Sequence, residues 1–242
     1  MDKSSRSQYR KAMGATRITK WAESANGEAI ELFHSAGITL AELDRPILFI
    51  GGVHGDEPEG IHLADELLSW LKGRQQTLTC PDWIVIPCLN PDGYRNQNRV
   101  NGNGTDINRN FPTKNWSAKY EQPRYNPGTA PLSEPESKAL DQLIRMTRPR
   151  LIIHAHSWQP CIIYTGDAGR PLAEALAACS GYPSKSDIGY ATPGSLGEYG
   201  YSEHGTPVIC IEALEGDDLD KVWGRFSKVL MELFQGIHLE RL

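Results

Sequence analysis

The 242-residue sequence predicts a single α/β domain built on a twisted, mostly parallel (mixed) sheet with helices on both faces. Three observations carry that reading. Short apolar runs such as Ile47-Leu48-Phe49-Ile50 have the composition of strands buried on both faces. Between them lie longer segments whose apolar residues recur at helical spacing. No internal repeat, low-complexity tract or Ser/Pro linker divides the chain, and at ~150 residues per domain its length suits one α/β unit. The domain is therefore expected to span 1–242, with polar residues 1–20 as a loose N-terminal extension.

Taken in order, Asn26-Gly27 is a turn signal, and the weak alternation from Glu28 to His34 predicts a hairpin strand. Arg45 to Gly52 reads as a buried strand. Pro58 to Lys72 carries Ala64, Leu67, Leu68 and Leu71 on one helical face, with Pro58 in the first turn and Gly73 as the stop. Trp83 to Leu89 is a second buried strand. Ser133 and Glu136 have the spacing of a capping box ahead of Ala139, Leu140, Leu143 and Ile144, so a helix is expected there. Arg150 to His156 is a strand, Pro171 to Cys179 a helix closed by Gly181, Pro207 to Ile211 a strand, and Leu219 to Phe234 the last helix.

Composition excludes several functions. Twenty-five Lys and Arg against 30 Asp and Glu give a net charge of −5, which argues against a nucleic-acid partner needing a basic face. No apolar run approaches the ~20 residues that span a bilayer, so no membrane role is expected. The basic N-terminus lacks the apolar stretch of a secretion signal, which points to a cytoplasmic protein. The five cysteines are scattered without a CxxC pair, and buried reduced thiols fit them better than disulfides.

Chemistry gathers where the strands end. The apolar runs lead into His54-Gly55-Asp56-Glu57, Asn90-Pro91-Asp92-Gly93, His156-Ser157-Trp158 and Glu212. In a parallel sheet these ends share one edge, where α/β folds bind ligands. His54 and Glu57 offer an imidazole and a carboxylate, and a further imidazole from another strand completes a His₂Glu set that leaves zinc an open position. The bland alternative for Glu57 is a carboxylate at a helix start. The loop from Asn90 to Pro112 places Arg95, Arg99 and Arg109 among Asn96, Asn98, Asn101, Asn103, Asn108 and Asn110, positive charge that suits a carboxylate ligand. A loop of this length without apolar periodicity is functional more often than not.

Together these motifs, with Asp106-Ile107-Asn108-Arg109-Asn110-Phe111, resemble the zinc carboxypeptidases of the carboxypeptidase A type over roughly residues 20–235, and most of all their compact bacterial branch acting on cell-wall peptides. The resemblance implies a zinc carboxypeptidase-like fold and one Zn²⁺ per chain on His54, Glu57 and His156. It implies Arg99 steadying an oxyanion, Asn108 and Arg109 holding a substrate carboxylate, Asp106 orienting His54, Glu212 as general base and Tyr190 closing over substrate. Two departures stand out. Asp56 occupies a position that is arginine in animal members, and Tyr190 sits one residue closer to the following Gly-Ser.

His154 and His156 face the same way on one strand. The His-Ser-Trp context selects His156 as the ligand and leaves His154, one pleat deeper, as a hydrogen-bonded core histidine or one that supports the ligands from behind. Glu212 directly follows an apolar run, so the sheet fixes it, whereas Glu215 lies in the following loop. Trp158 is placed to wall the site; His34, His62, His204 and His238 have no partner motif.

The expected reaction is zinc-dependent hydrolysis of a carboxyl-terminal amide in a small peptide. The resemblance narrows this to the γ-D-glutamyl–meso-diaminopimelate bond of cell-wall peptides, with Asp56 offering a charge to the diaminopimelate amine. The alternatives are an aspartoacylase-like deacylase of N-acyl amino acids, a general metallocarboxypeptidase, and a non-catalytic binding module on the same scaffold.

Overall fold

The computed structural model describes residues 14–73 and 80–239. The strands are β1 (Ala15–Glu23), β2 (Ala29–Ser35), β3 (Ile47–Ile50), β4 (Trp83–Ile86), β5 (Leu151–Trp158), β6 (Cys161–Thr165), β7 (Ser184–Lys185) and β8 (Val208–Leu214). They form one sheet in the order β1-β2-β4-β3-β5-β8-β6-β7. The central strands β4, β3, β5 and β8 are parallel, while β1, β2 and β6 pair antiparallel at the flanks.

Among the described residues six α-helices accompany the sheet: α1 (Pro58–Lys72), α2 (Pro91–Arg95), α3 (Pro135–Thr147), α4 (Arg170–Ser180), α5 (Leu196–Ser202) and α6 (Leu219–Phe234). Strand alternation decides what each face buries. Ile47, Phe49, Leu151, Ile153, Ile209 and Ile211 pack with residues of α1, α4 and α6. Leu48, Ile50, Ile152 and Val208 face α3, α5, Ile107 and Phe111. His154 and His156 on β5, and Cys210 and Glu212 on β8, continue this second face, so the fold itself carries all four toward the carboxyl ends of the central strands.

The boundaries of α1 and α6 agree with the sequence reading, and Gly181 closes α4 with φ +76°, a conformation that favours glycine. Other details differ. Residues 15–18, expected within a loose extension, pair with β2, and Ile18 and Trp21, on either side of a register shift, pack against the cluster that holds Ile30 and Leu32; residues 1–13 lie outside the described residues. The Ser133/Glu136 capping box does not form. Glu134 is the N-cap with Pro135 behind it, Ser133 Oγ donates to Glu134 Oε1, and Glu136 accepts from the Ala25 N–H and Asn101 Nδ2 instead. All five cysteines are free thiols, with Cys161 and Cys210 buried. No helix among the described residues is long and apolar enough to cross a membrane.

Candidate active site

The site begins at the end of β3. The chain turns through Gly55, where a Cβ would lie 1.9 Å from the backbone of Gly93, so the loops after β3 and β4 pack backbone against backbone. Asn90 caps α2 by accepting from the Gly93 N–H and donates its Nδ2 to the Arg99 carbonyl, which fixes where the following arginine loop starts. Glu57 occupies the N-cap position of α1 without capping it. Its carboxylate turns inward: Oε1 lies 2.8 Å from His54 Nδ1 and Oε2 2.7 Å from His156 Nδ1, and the two Nδ1 atoms are 2.9 Å apart.

All three side chains are buried, and their donor atoms lie within 4.8 Å of one another. Two imidazole nitrogens and one carboxylate directed at a common point are the donor set of an open zinc site, so these residues fit that ion. On the far side of His54, Nε2 donates to Asp106 Oδ1 at 3.0 Å, leaving the Nδ1 lone pair for a metal. Asp106, fully buried, also accepts from the Asn108 N–H on Oδ1 and from Arg99 Nε on Oδ2 at 3.0 Å. Arg99 spans the set by donating Nη1 to Glu57 Oε1 at 3.1 Å. Burial opposes ionisation of Asp106, but Arg99 and His54 override it and hold the carboxyl below its ordinary range. Glu57 is likewise held well below, its burial overcome by His54 and His156.

Glu212 stands directly across from His156 in the β5–β8 register. Burial raises its carboxyl above the ordinary value, Glu57 adds to the rise, and His156 opposes it. Cys210 donates its thiol to Glu212 Oε1 at 3.3 Å. The other candidate acid, Glu215, is exposed at the mouth of the cavity.

These groups open onto a cavity of about 320 Å³. Arg109 lines it, 5% exposed, with Nη1 donating to the Asn108 carbonyl. Among the described residues no carboxylate forms an ion pair with it. Asn108 also lines the cavity, with Oδ1 accepting from the Leu196 N–H and so joining the arginine loop to α5. Tyr190 stands at the rim, 45% exposed, edge-on to Trp158 with ring centroids 5.7 Å apart. Beneath the rim a buried carboxylate, Glu59, ties three segments together, accepting from Ser157 Oγ and from the Gly216 N–H, each at 2.6 Å.

Among the lining residues that escape the sequence reading, two carry the most chemistry. Arg124 and Tyr125 come from a short turn at Pro123–Tyr125, and the guanidinium carbons of Arg99, Arg109 and Arg124 lie 5.3, 5.8 and 5.6 Å from the centre of the Tyr125 ring. Arg124 Nη2 pairs with Asp56 Oδ2 at 3.7 Å. Asp56, expected to meet a substrate amine, thus faces an arginine. The only signal for this pair was an Arg-Tyr dipeptide framed by Pro123 and Pro127.

A His₂Glu donor set at the carboxyl ends of central parallel strands, with a glutamate across from it and an arginine-rich loop beside it, defines a metallohydrolase-type site. The chain belongs to the zinc carboxypeptidase family, whose model matches residues 7–213. It is 34% identical over 163 residues to murein peptide amidase A of Escherichia coli K12, a match covering 63% of this chain and 64% of that protein. The chain therefore aligns with just under two thirds of that relative's length. Murein peptide amidase A of Vibrio campbellii is 32% identical over 176 residues, 68% of each chain. Among solved structures, murein-tripeptide amidase from Escherichia coli O157 superposes with a TM-score of 0.73 at 24% identity, covering 97% of this chain and 96% of that one, a likeness of fold.

Proposed function

We propose that the protein is a zinc-dependent hydrolase that removes the carboxyl-terminal residue of a small peptide, and that its substrates are murein peptides cut at the γ-D-glutamyl–meso-diaminopimelate bond. One observation carries the reading: a buried guanidinium, Arg109, lines the cavity beside His54, Glu57 and His156 without a carboxylate partner among the described residues. The nearby Asp106 carboxylate feels Arg109 but is already engaged by Arg99 and His54, so a substrate carboxylate is the group left to pair directly with this guanidinium. The relatives named murein peptide amidase A supply the substrate class.

In this reading His54, Glu57 and His156 hold one zinc ion. When bound, zinc supplies Lewis acidity, polarising a carbonyl and bringing the pKa of water to ~7. Arg109 and the Asn108 side chain grip the terminal carboxylate and fix the scissile amide in the cavity. Glu212, its carboxyl raised by burial, takes a proton from the attacking water and delivers it to the leaving amine. Arg99, held by Asp106 and Glu57, presents fixed positive charge where the oxyanion develops. Tyr190 and Trp158 close the rim over substrate. The described residues work as one domain, and the protein acts in the cytoplasm on peptides returned from the cell wall.

The test is a substrate panel with zinc-loaded protein: L-Ala-γ-D-Glu-meso-diaminopimelate, the same tripeptide ending in lysine, hippuryl-phenylalanine and N-acetyl-aspartate. Release of diaminopimelate from the first alone supports the proposal. Preferred cleavage of hippuryl-phenylalanine means a general carboxypeptidase, preferred cleavage of N-acetyl-aspartate means a deacylase, and no cleavage at all means a binding module.

A further inference from the structure

His156 has polar neighbours at both ring nitrogens. Its Nδ1 faces Glu57 and His54, and its Nε2 lies 2.7 Å from Nδ1 of His154, with the two rings nearly perpendicular at 88°. To offer a lone pair on Nδ1, His156 must carry its proton on Nε2, and that proton needs an acceptor. The Nδ1 of His154 is placed to accept it. It can do so only in the tautomer that puts the His154 proton on Nε2, and this nitrogen is buried with no hydrogen-bond partner among the described residues.

That orphan nitrogen argues against a packing role. A buried donor left unpaired destabilises a fold, and an apolar residue in the same place would avoid the loss. The neighbouring strand pins the arrangement, since His154 lies opposite Cys210 and His156 opposite Glu212 in the register of β5 and β8. We propose that His154 is a positioning residue for the metal site, fixing the tautomer and ring angle of His156 as Asp106 fixes those of His54. The inference rests on the zinc reading above. The two histidine ligands are then supported unequally, one by a buried carboxylate and the other by a neutral imidazole. The neutral acceptor keeps a further negative charge away from Glu57 and Glu212.

The experiment compares wild type with His154→Leu, which removes the acceptor, and His154→Asn, whose Oδ1 can take the place of the imidazole Nδ1. Zinc affinity is measured by competition with a chromophoric chelator. Loss of an outer hydrogen bond to a ligating histidine weakens metal binding by about 10- to 100-fold, so His154→Leu is expected in that range and His154→Asn much closer to wild type. Nitrogen-15 NMR of histidine-labelled, zinc-loaded wild type gives a readout that needs no variant: His156 shows a slowly exchanging proton on Nε2 and metal-bound Nδ1. A proton on Nδ1 overturns the proposal, as does zinc affinity in His154→Leu equal to wild type, or an equal loss in Leu and Asn variants. If wild type binds no zinc, the functional reading itself fails first.

Discussion

Replacing Asp106 with asparagine tests whether the buried network beside the metal ligands is as tightly determined as its hydrogen bonds indicate. The change is isosteric, so no cavity forms. Oδ1 receives both the His54 Nε2–H and the Asn108 N–H, which obliges the asparagine oxygen to occupy that position. The amide NH₂ then faces Arg99 Nε–H, donor against donor across 3.0 Å. The opposite flip only moves the conflict to His54 and Asn108. Arg99, 8% exposed, keeps Glu57 as its remaining anionic partner. Removing one partner of a buried ion pair costs about 3–5 kcal/mol, which for a chain of this size lowers Tm by about 6–20 °C. The assay is urea and thermal unfolding of metal-free protein, so that zinc binding does not mask the effect. Adding Arg99→Met removes the opposed donor, and the double-mutant cycle is expected to show a coupling of about 0.5–3 kcal/mol. A loss below about 1 kcal/mol in Asp106→Asn, with no coupling to Arg99, refutes the reasoning.

Glu212→Gln is expected to keep fold and bound zinc while turnover falls by at least about 10²-fold, measured as diaminopimelate release. Because burial raises this carboxyl, its titration in metal-free protein, followed by carbon-13 NMR of labelled glutamate, should lie above the ordinary value of 4.5, and zinc should bring it down. Arg109→Met should lower the preference for a free carboxyl terminus over the corresponding amide by about 10- to 100-fold, visible in the ratio of kcat/KM values. Chelation should lower Tm: zinc at a thousandfold excess over its Kd adds about 4 kcal/mol, or about 8–16 °C, in differential scanning calorimetry. In metal-free protein the depressed carboxyls of Asp106 and Glu57 contribute stability that is present above their unfolded values and lost as pH falls toward their folded ones, so urea midpoints should drop on acidification below about pH 4–5.

The parts legible in the sequence are those where local chemistry and tertiary context agree. Helix α1 reads clearly because Pro58, a stripe of leucines and Gly73 all demand the same element. Strand β6 does not: Cys161–Thr165 follows β5 after only Gln159 and Pro160, and nothing local reveals that another strand separates the two. Helix α5 carries two glycines in seven residues, so its propensity is poor, and it forms because Leu196 and Tyr199 find the core. Ser133 and Glu136 satisfy a local pattern, but Ser133 Oγ is engaged by its neighbour Glu134 and by Asn110, and Glu136 by the distant Ala25 and Asn101. At the site, His54, Glu57, His156 and Glu212 could be gathered because each ends or follows a buried strand. Arg124 could not, since its place beside Asp56 depends on how the long loop folds back over the ligands.

The last strand of the sheet in sequence is not at its edge. β8 is laid down between β5 and β6, both of which precede it in the chain. Until residues 208–214 are added, β6 and β7 have no path into the sheet, because every pairing that joins them to the centre runs through β8. The same strand delivers Glu212. A chain that ends before residue 208 contains His54, Glu57 and His156 but neither the strand that closes the sheet nor Glu212. In the proposed reading, the strand that joins β6 and β7 to the sheet is also the one that brings the general base, and only α6 is left to pack against the core afterwards.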